Sequence, residues 1–561
     1  EVGRRLLGDY PHGVYLVALA AVQDPALAPS ATAAALGVRE TRDQNLEQAL
    51  VDFLADKEML LIFDNFEHLL PAAAFLHALL TACPSLRLLV TSRCRLPLYG
   101  EHQFVVKPLS LPAAPEQASA ADAPAVRLFC ERAQAARADF RLTPALTPIV
   151  VEMCRRLDGL PLAIELAAAR IRLFSVQELQ QRLDEHRLPL LTQDVTDLAP
   201  RLQALETAMD WSYELLSAPE RTLLARLAVF VGSFSLAAAE GVCAAPLLPP
   251  ADPGILARPG MINQIETLLA QSLLVRQGAE AESDFAQRKP CSRCPRRLLC
   301  EATEGESRFA MLETIREYAL DRLEAKGELA IMQQGHAEYF AAWAGQAEAQ
   351  LHGPDQVVWL ARLEQEMGNL RAALGWLLTA GQVIKAADMA CALRVFWQRH
   401  GHYSEGLNWL RQTLEQMTEQ AVPDTLRART LQATAALAYR QGDWQRSRQW
   451  LMESLALFKA ASDQPGMTRV LFELGWIAVD QADWAEAARF NEESLLLARE
   501  AGDPCAVYQA LTNLGWTQMC IGQQDTAAAL FDEAYALAQR VGHTKGVAVS
   551  LANLGWIALY K

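Results

Sequence analysis

Residues 1–110 alternate between short apolar runs and longer segments in which apolar residues recur at helical spacing. The short runs are Gly13–Leu19, Leu60–Asp64 and Leu86–Arg93, and the helical segments are Pro29–Gly37, Asn45–Ala55 and Glu67–Cys83. Short apolar runs are typical of strands buried in a parallel sheet. Strands and helices that alternate with short links predict an open, right-handed α/β sheet.

Beyond residue 110 the pattern is almost entirely helical. Ala and Leu are frequent, and the second half of the chain nearly lacks strand-like runs. This composition predicts a mostly α protein with an N-terminal α/β part. The length of 561 residues leaves room for about three or four domains of ordinary size.

The C-terminal part repeats itself with a constant period. The repeated positions are the tripeptide LGW at Leu474–Trp476, Leu514–Trp516 and Leu554–Trp556, and the acids Glu453, Glu493 and Glu533. Units that read as helix, turn, helix and loop cannot bury their apolar faces alone, so they must stack into a superhelix. We predict repeats of period 40 over residues 426–561 and degenerate helical repeats over 326–425. Tryptophans such as Trp397 are predicted to pack between helices rather than to stack on bases.

Polar residues lie where two of the predicted strands end. Asp64 ends the second strand, and Thr91, Ser92 and Arg93 end the third. Ligands of open α/β sheets bind at the carboxyl ends of the strands. A carboxylate for a metal ion and a guanidinium for a phosphate at one edge fit a nucleoside triphosphate site. Taken singly, Asp64 could equally cap a helix, and Arg93 could form a surface ion pair.

Three motifs, in this order, resemble the signalling ATPases of the STAND class, in their NB-ARC-like branch. The motifs are "LLIFDNFEH" (60–68), "LRLLVTSR" (86–93) and "RRLDGLPLAIELAAAR" (155–170). The resemblance implies a Walker-B strand with Asp64 holding Mg²⁺, and Arg93 as the sensor-1 arginine. It also implies that the GLPLA residues Gly159, Leu160 and Pro161 contribute to an ATP or ADP site, with Pro161 near the adenine. Alone, GLPLA could be a turn with proline at the first helical position.

The same resemblance implies an order of domains. A P-loop NTPase-type parallel sheet would occupy residues 1–110, a helical domain 111–205 and a winged helix 206–325, followed by an α-solenoid of tetratricopeptide-like repeats. In that family the winged helix closes over the nucleotide. Bacterial members with this order are transcriptional regulators that switch with the bound nucleotide.

Two features depart from that family. The phosphate-loop sequence G-x-x-x-x-G-K-[ST] occurs nowhere in the chain, so we expect a truncated sheet in a fragment that begins just after the loop. Asn65 stands where many relatives carry a second acid, and an amide cannot take a proton from water. Hydrolysis of ATP is therefore expected to be slow at most, unless Glu67 substitutes as the base.

A cysteine cluster lies in a predicted insertion of the winged helix, residues 279–305. Cys291 and Cys294 have the C-x-x-C spacing of a metal chelate, and Cys300 follows. A structural zinc needs four ligands, and Cys243 is the nearest candidate for the fourth. The cluster is therefore either a metal site or a loop of reduced thiols.

Charge and hydropathy narrow the choice of partners. The net charge of −15 gives no sign of a basic nucleic-acid surface, and no apolar run reaches the roughly 18 residues of a membrane helix. Eleven cysteines, mostly scattered singly, favour a reducing cytoplasm. We expect a cytoplasmic ATP/ADP switch whose repeats sense a protein or small-molecule effector, with self-assembly on activation and DNA contact only through terminal domains absent from this chain. The alternative is a protein-interaction scaffold that binds no nucleotide.

Overall fold

The computed structural model describes most of the chain in two compact units. The described residues are 2–22, 24–39, 45–112, 120–185, 209–210, 212–243, 258–277, 307–351, 353 and 355–560. The first unit comprises Glu1–Cys94, Ala341–Leu360 and Leu374–Lys561, and the second comprises Arg95–Phe340 and Ala361–Ala373. The predicted domain boundaries at residues 110, 205, 325 and 425 stay predictions.

A three-stranded parallel sheet begins the first unit. Its strands are β1 (Val14–Ala18), β2 (Met59–Asp64) and β3 (Leu86–Val90), paired in that order. The helices of this region are α1 (Val2–Arg5), α2 (Ala28–Leu36), α3 (Leu46–Leu54) and α4 (Ala73–Ala82). Leu61 and Phe63 of the central strand are fully buried, as a strand covered on both faces requires. The predicted α/β part is confirmed.

Local sequence signals set the ends of these helices. Asn45 precedes α3, and its side chain accepts a hydrogen bond from the backbone N–H of Gln48 at 2.8 Å. This satisfies one of the unpaired donors at a helix start. Gly37 ends α2 with a left-handed φ of 68°, a conformation that costs glycine little.

The second unit combines helices with a small antiparallel sheet. Its helices are α5 (Pro124–Ala136), α6 (Thr147–Arg156), α7 (Pro161–Ala169), α8 (Val176–Glu185), α9 (Ala218–Leu227), α10 (Leu236–Cys243), α11 (Arg258–Ala270) and α12 (Glu313–Ala325). Its strands are β4 (Ser233–Ser235), β5 (Val275–Gln277) and β6 (Arg308–Ala310), with β6 in the middle. The Glu220 carboxylate accepts a hydrogen bond from the Ser217 N–H at 2.7 Å and so stabilises the start of α9.

A buried polar network fastens this sheet within the second unit. Arg308 donates to Glu366 at 2.7 Å, and the Asn369 amide donates to the other oxygen of Glu366, also at 2.7 Å. The same amide donates to the Ser233 carbonyl at 3.0 Å, and its oxygen accepts from the Val231 N–H at 2.8 Å. Because every member has partners, the charged groups can be buried without leaving an unpaired charge.

Long helices make up the rest of the chain. Three of them are α13 (Leu329–Gln350), α14 (Gln356–Gln365) and α15 (Met367–Thr379), and the repeat array consists of α16 (Val383–His400), α17 (Tyr403–Gln416), α18 (Asp424–Arg440), α19 (Trp444–Ala460), α20 (Gln464–Asp480), α21 (Trp484–Ala501), α22 (Pro504–Ile521), α23 (Gln524–Arg540) and α24 (Thr544–Tyr560). From α18 onward the helices begin at equal intervals, and each pair of successive helices spans one period of the sequence. The predicted tetratricopeptide-like solenoid is confirmed.

Aspartates start four successive helices of the array. The side chains of Asp443, Asp463, Asp483 and Asp503 each accept a hydrogen bond from a backbone N–H in the first turn of the helix that follows. A short acceptor at this position satisfies a donor that the helix itself cannot pair. These aspartates recur at half the spacing of the LGW tripeptides, so both helices of a repeat begin with the same cap.

The glycine of LGW lets two helices approach closely. A Cβ added to Gly475 would lie 2.2 Å from Asn491 Oδ1, and one added to Gly515 would lie 2.6 Å from the Phe531 ring. Asn491 and Phe531 occupy equivalent positions of successive repeats, on α21 and α23. At Gly555, in α24, an added Cβ would meet nothing within 4 Å. The repeated glycine is therefore a packing requirement where a second helix crosses it.

Other repeated residues also have structural partners. Glu493 pairs with Lys459 at 3.1 Å, and Glu533 pairs with Arg499 at 2.6 Å. Trp397 is 1% exposed and lies in the core of the array, as predicted. In the part of the chain that the structure describes, no helix is long and apolar enough to cross a membrane.

Candidate functional site

The carboxyl end of the parallel sheet brings Asp64 and Thr91 together. The Thr91 hydroxyl donates to Asp64 Oδ1 and accepts a hydrogen bond from the Asn65 N–H at 3.1 Å. The Thr91 N–H donates to the Phe63 carbonyl at 2.9 Å, which continues the strand pairing to the end of β2. Among the described residues, Asp64 Oδ2 has no hydrogen-bond partner. One carboxylate oxygen is thus held in place, and the other remains available to a ligand.

The backbone conformation at position 65 favours an asparagine. Its φ is +62°, in the left-handed region that asparagine enters more readily than most residues. The next residue, Phe66, donates its N–H to the Thr91 carbonyl at 3.0 Å and is fully buried. An asparagine therefore suits the sharp turn after β2, a signal that sequence analysis did not use. Its predicted catalytic position stays a prediction.

Arg93 and Glu67 contact each other. Arg93 Nε lies 3.2 Å from Glu67 Oε1, and the two side chains are 53% and 20% exposed. The sequence predicted that Arg93 binds a phosphate and that Glu67 could activate water. In the structure these two side chains contact each other. Exposed ion pairs contribute at most about 1 kcal/mol. Either side chain can therefore leave the pair at little cost.

His68 belongs to the same edge, although no sequence pattern pointed to it. Its Nε2 lies 2.7 Å from the Val22 carbonyl and 3.1 Å from the Leu19 carbonyl. The Leu19 N–H in turn donates to the Asp64 carbonyl at 3.1 Å. His68 thus fixes the loop that follows β1 against the turn that follows β2. Contacts between loops far apart in the chain are invisible to spacing rules.

The GLPLA residues belong to the second unit, where each has a local structural role. Gly159 has a φ of +66°, and an added Cβ would lie 2.4 Å from the Leu109 carbonyl oxygen. Its own carbonyl accepts from the Leu109 N–H at 2.9 Å. Leu160 precedes α7 as its N-cap residue, and Pro161 is the first helical residue and is exposed. The motif is therefore a turn that starts a helix, and its contact with a nucleotide stays a prediction.

The predicted metal site cannot be placed. Cys291, Cys294 and Cys300 lie outside the described residues. Cys243, the candidate fourth ligand, ends α10 and is fully buried. Burial raises the pKa of its thiol to about 12, so this cysteine keeps its proton at neutral pH. Binding of a metal by the cluster stays a prediction.

The residues at the sheet edge fit a hard cation. Mg²⁺ prefers carboxylate oxygens and keeps several waters, and Asp64 offers one oriented oxygen beside solvent. The Thr91 hydroxyl uses its proton on Asp64 and so keeps that carboxylate facing the edge. Asp64 and Thr91 thus have the arrangement in which a hydrogen-bonded neighbour orients a carboxylate that is suited to bind a cation.

Known proteins resemble this chain both in its repeats and over most of its length. A sequence model of the tetratricopeptide repeat matches residues 426–500. A "Putative HTH-type transcriptional regulator" of Mycobacterium tuberculosis is 32% identical over 429 residues, which are 76% of this chain and 44% of that protein. An uncharacterized protein of the same organism is 32% identical over 329 residues, which are 58% of this chain and 73% of that protein. This chain belongs to their family.

The predicted resemblance to bacterial transcriptional regulators with C-terminal tetratricopeptide-like repeats is confirmed. The chain spans less than half the length of the regulator that it matches. A crystal structure of a STAND protein with a tetratricopeptide repeat sensor, from Pyrococcus horikoshii, aligns with 96% of this chain and 83% of that chain at 12% identity and a TM-score of 0.37. A TM-score this low gives no basis for assigning a function.

Proposed function

We propose that this chain is part of a nucleotide-dependent switch in a bacterial transcriptional regulator. The observation that carries the proposal is the oriented Asp64 carboxylate, held by Thr91 where two parallel strands end. Binding at this edge is the general rule for open α/β sheets. The mycobacterial relative whose name describes a transcriptional regulator supports the biological setting.

In this proposal ATP or ADP binds with Mg²⁺ at the sheet edge. ATP carries a γ-phosphate that ADP lacks, and this group distinguishes the ATP-bound state of the switch from the ADP-bound state. Asp64 holds the cation, and Thr91 keeps the Asp64 carboxylate oriented. Arg93 leaves Glu67 and turns toward a phosphate, which its planar guanidinium can bind with two parallel hydrogen bonds. A contribution of Gly159, Leu160 and Pro161 to nucleotide binding is part of the proposal.

Hydrolysis is slow at most in this proposal. Asn65 cannot accept a proton, so Glu67 would have to act as the base in its place. A switch needs the bound nucleotide to persist, so slow hydrolysis suits signalling better than mechanical work. Cycling between ADP and ATP would then depend on exchange.

The repeats would sense the effector. Stacked repeats present an extended surface for a partner, and the match to the tetratricopeptide repeat supports this role.

The strands β5 and β6 and the helices α9 to α12 have the order of a winged helix, and we assign them that role. Self-assembly on activation, a cytoplasmic location and DNA contact through further domains complete the proposal.

Calorimetry with ADP and Mg²⁺ on the natural full-length protein tests the proposal. We expect binding to the wild type and at least about tenfold weaker binding to Asp64→Asn, since a charge-assisted contact contributes roughly 1.5–3 kcal/mol. Asp56 is exposed and lies in the turn before β2, so Asp56→Asn is a matched control that should bind like the wild type. Failure of the wild-type protein to bind ADP would overturn the switch.

The scaffold remains the second candidate function, because the repeat array has a complete core of its own. If the full-length protein binds a partner through its repeats but takes up neither ADP nor ATP, the scaffold replaces the switch. Partner binding that changes with the bound nucleotide would exclude the scaffold.

A further inference from the structure

The repeat array contains a cavity of about 550 Å³. Successive first helices of the repeats line it, with Arg394 on α16, Arg429 on α18, Arg469 on α20 and Gln509 on α22. Arg429, Arg469 and Gln509 occupy equivalent positions of successive repeats, so the period of the array places them on one face. A volume of this size lies within the range of small-molecule sites, roughly 300–1,000 Å³.

Positive charge in this cavity contrasts with the rest of the chain. Three arginines line it, against the two glutamates Glu348 and Glu473, in a chain whose net charge is −15. Arg429 forms an exposed ion pair with Asp388 at 3.3 Å. Among the described residues, neither Arg394 nor Arg469 forms an ion pair. Two guanidinium groups in one concave site are therefore available to an anion.

Glu473 supplies an acceptor in the same cavity. Its Oε1 accepts a hydrogen bond from the Gln432 amide at 3.1 Å. Its Oε2 is buried and has no hydrogen-bond partner among the described residues. Burial raises the pKa of the Glu473 carboxyl, and the positive charges of Arg394 and Arg469 act in the opposite direction. A buried oxygen without a partner is costly unless a ligand provides a donor.

We propose that this cavity binds a small organic anion, a carboxylate or a phosphate, that also carries a hydroxyl or amine donor. The anionic group would contact Arg394 and Arg469, and the donor would reach Glu473 Oε2. Phe472 adds an apolar wall, which suits the carbon skeleton of such a molecule. The inference rests on the proposed function, because it names the chemical class of the effector that the repeats would sense.

Calorimetry with three probes tests the site on the full-length protein. Glycerol 3-phosphate and citrate each join an anion to a hydroxyl, and glycerol has the hydroxyls without the anion. We expect binding of at least one of the two anions, with the stronger one identifying the source as phosphate or carboxylate, and no binding of glycerol. Absence of binding by both anions, or equal binding of glycerol, would overturn the proposal.

Variants of the arginines locate the site. We expect Arg394→Gln with Arg469→Gln to weaken anion binding at least about tenfold, because the charge-assisted hydrogen bonds of both guanidinium groups are lost. Arg446 is an exposed arginine of α19 that pairs with Asp443 outside the cavity, so Arg446→Gln is the matched control and should bind like the wild type. Unchanged affinity in the double variant would show that the anion binds elsewhere.

Glu473→Gln tests the donor. We expect the wild type to prefer glycerol 3-phosphate to methyl phosphate, which lacks the hydroxyls, and we expect the variant to lose that preference. A preference that persists in Glu473→Gln would remove Glu473 from the site. The variant has nearly the same shape, and its fold can be checked by the thermal unfolding temperature.

The two proposals fail separately. If ADP binds but neither anion does, the cavity proposal is wrong and the switch stands. If an anion binds but ADP does not, the switch is wrong and the cavity stands as a ligand site of a scaffold. Asp64→Asn should lower ADP affinity without changing anion affinity.

Discussion

Two arginine–glutamate pairs in this chain share their chemistry but differ in burial. Arg93 and Glu67, at the sheet edge of the first unit, are 53% and 20% exposed at 3.2 Å, whereas Arg308 and Glu366, in the second unit, are 9% and 7% exposed at 2.7 Å. The first pair costs little to separate, because the Arg93 side chain is largely exposed to water. The buried pair cannot separate without leaving a charge in the core. Burial therefore distinguishes a pair that can serve a ligand from a pair that maintains the fold.

The sharpest way to test this contrast is to remove the buried guanidinium. Arg308→Met leaves Glu366 charged and poorly solvated, and it also removes the contacts of Arg308 with Ser233. We expect the free energy of unfolding to fall by about 3–5 kcal/mol. Urea unfolding followed by circular dichroism measures the loss. A loss below about 1 kcal/mol, the upper range of an exposed pair, would show that the two pairs are equivalent.

His336 extends the buried network toward aromatic rings and makes it sensitive to pH. Its Nε2 lies 3.3 Å from Asn369 Oδ1, so the neutral ring donates this hydrogen bond, and it packs against Phe230 and Phe340. Burial lowers the pKa of His336 to about 4, below its usual 6.5. The unfolded chain therefore binds the proton more readily, and stability is complete above pH 6.5 and is lost as the pH falls toward 4.

We expect the free energy of unfolding to fall by about 2–3 kcal/mol as the pH is lowered from 7 to 4 and His336 must gain a proton. Urea unfolding between pH 7 and pH 4 measures it. His336→Gln keeps a donor but cannot gain a proton, so its stability should change less over the same range. An identical slope in the wild type and in His336→Gln would assign the pH dependence to other groups.

The glycines of LGW provide a further contrast, between a crowded and an open helix position. Gly515→Ala pushes a methyl group to within 2.6 Å of the Phe531 ring, and overpacking of this kind costs about 1–3 kcal/mol. Gly555→Ala is the matched control, because nothing lies within 4 Å of its added Cβ. In that open helix position alanine should raise stability by about 1 kcal/mol. Thermal unfolding of both variants compares them, and equal effects would contradict the packing role.

The smallest expected change in stability is at the exposed pair. Arg93→Met should alter the free energy of unfolding by less than about 1 kcal/mol. If Arg93 serves a phosphate, the same variant should bind ADP at least about tenfold more weakly, since a charged hydrogen bond contributes roughly 1.5–3 kcal/mol. Urea unfolding and calorimetry on one preparation measure both effects. A large loss of stability with unchanged ADP affinity would reverse the assignment of the two pairs.

Periodic features of the fold could be predicted because they are written locally. The alternation of apolar runs indicated β1, β2 and β3, and the recurrence of LGW indicated the repeat helices. Asp64 and Thr91 could be placed at one edge because parallel strands share a direction. These inferences need only the spacing of residues and the rules of strand and helix geometry.

Partnerships between side chains could not be predicted. Nothing in the spacing indicated that Arg93 would contact Glu67, or that Asn65 would adopt a left-handed φ. Arg308 and Glu366 are 58 residues apart and meet only because strand β6 packs against the turn between α14 and α15. Side-chain pairing depends on the distance and direction of groups that folding brings together.

The amino-acid sequence by itself determined the parallel sheet and the repeat period, because short-range patterns of apolar residues carry that information, and its motifs carried the family resemblance. Only the tertiary structure decided which charges are buried and which remain exposed. The cavity shows the reason: Arg394 of α16 meets Arg469 and Glu473 of α20 because the first helices of the repeats stack against one another. Packing thus turns separate repeats into one site with the charge and volume to receive a ligand.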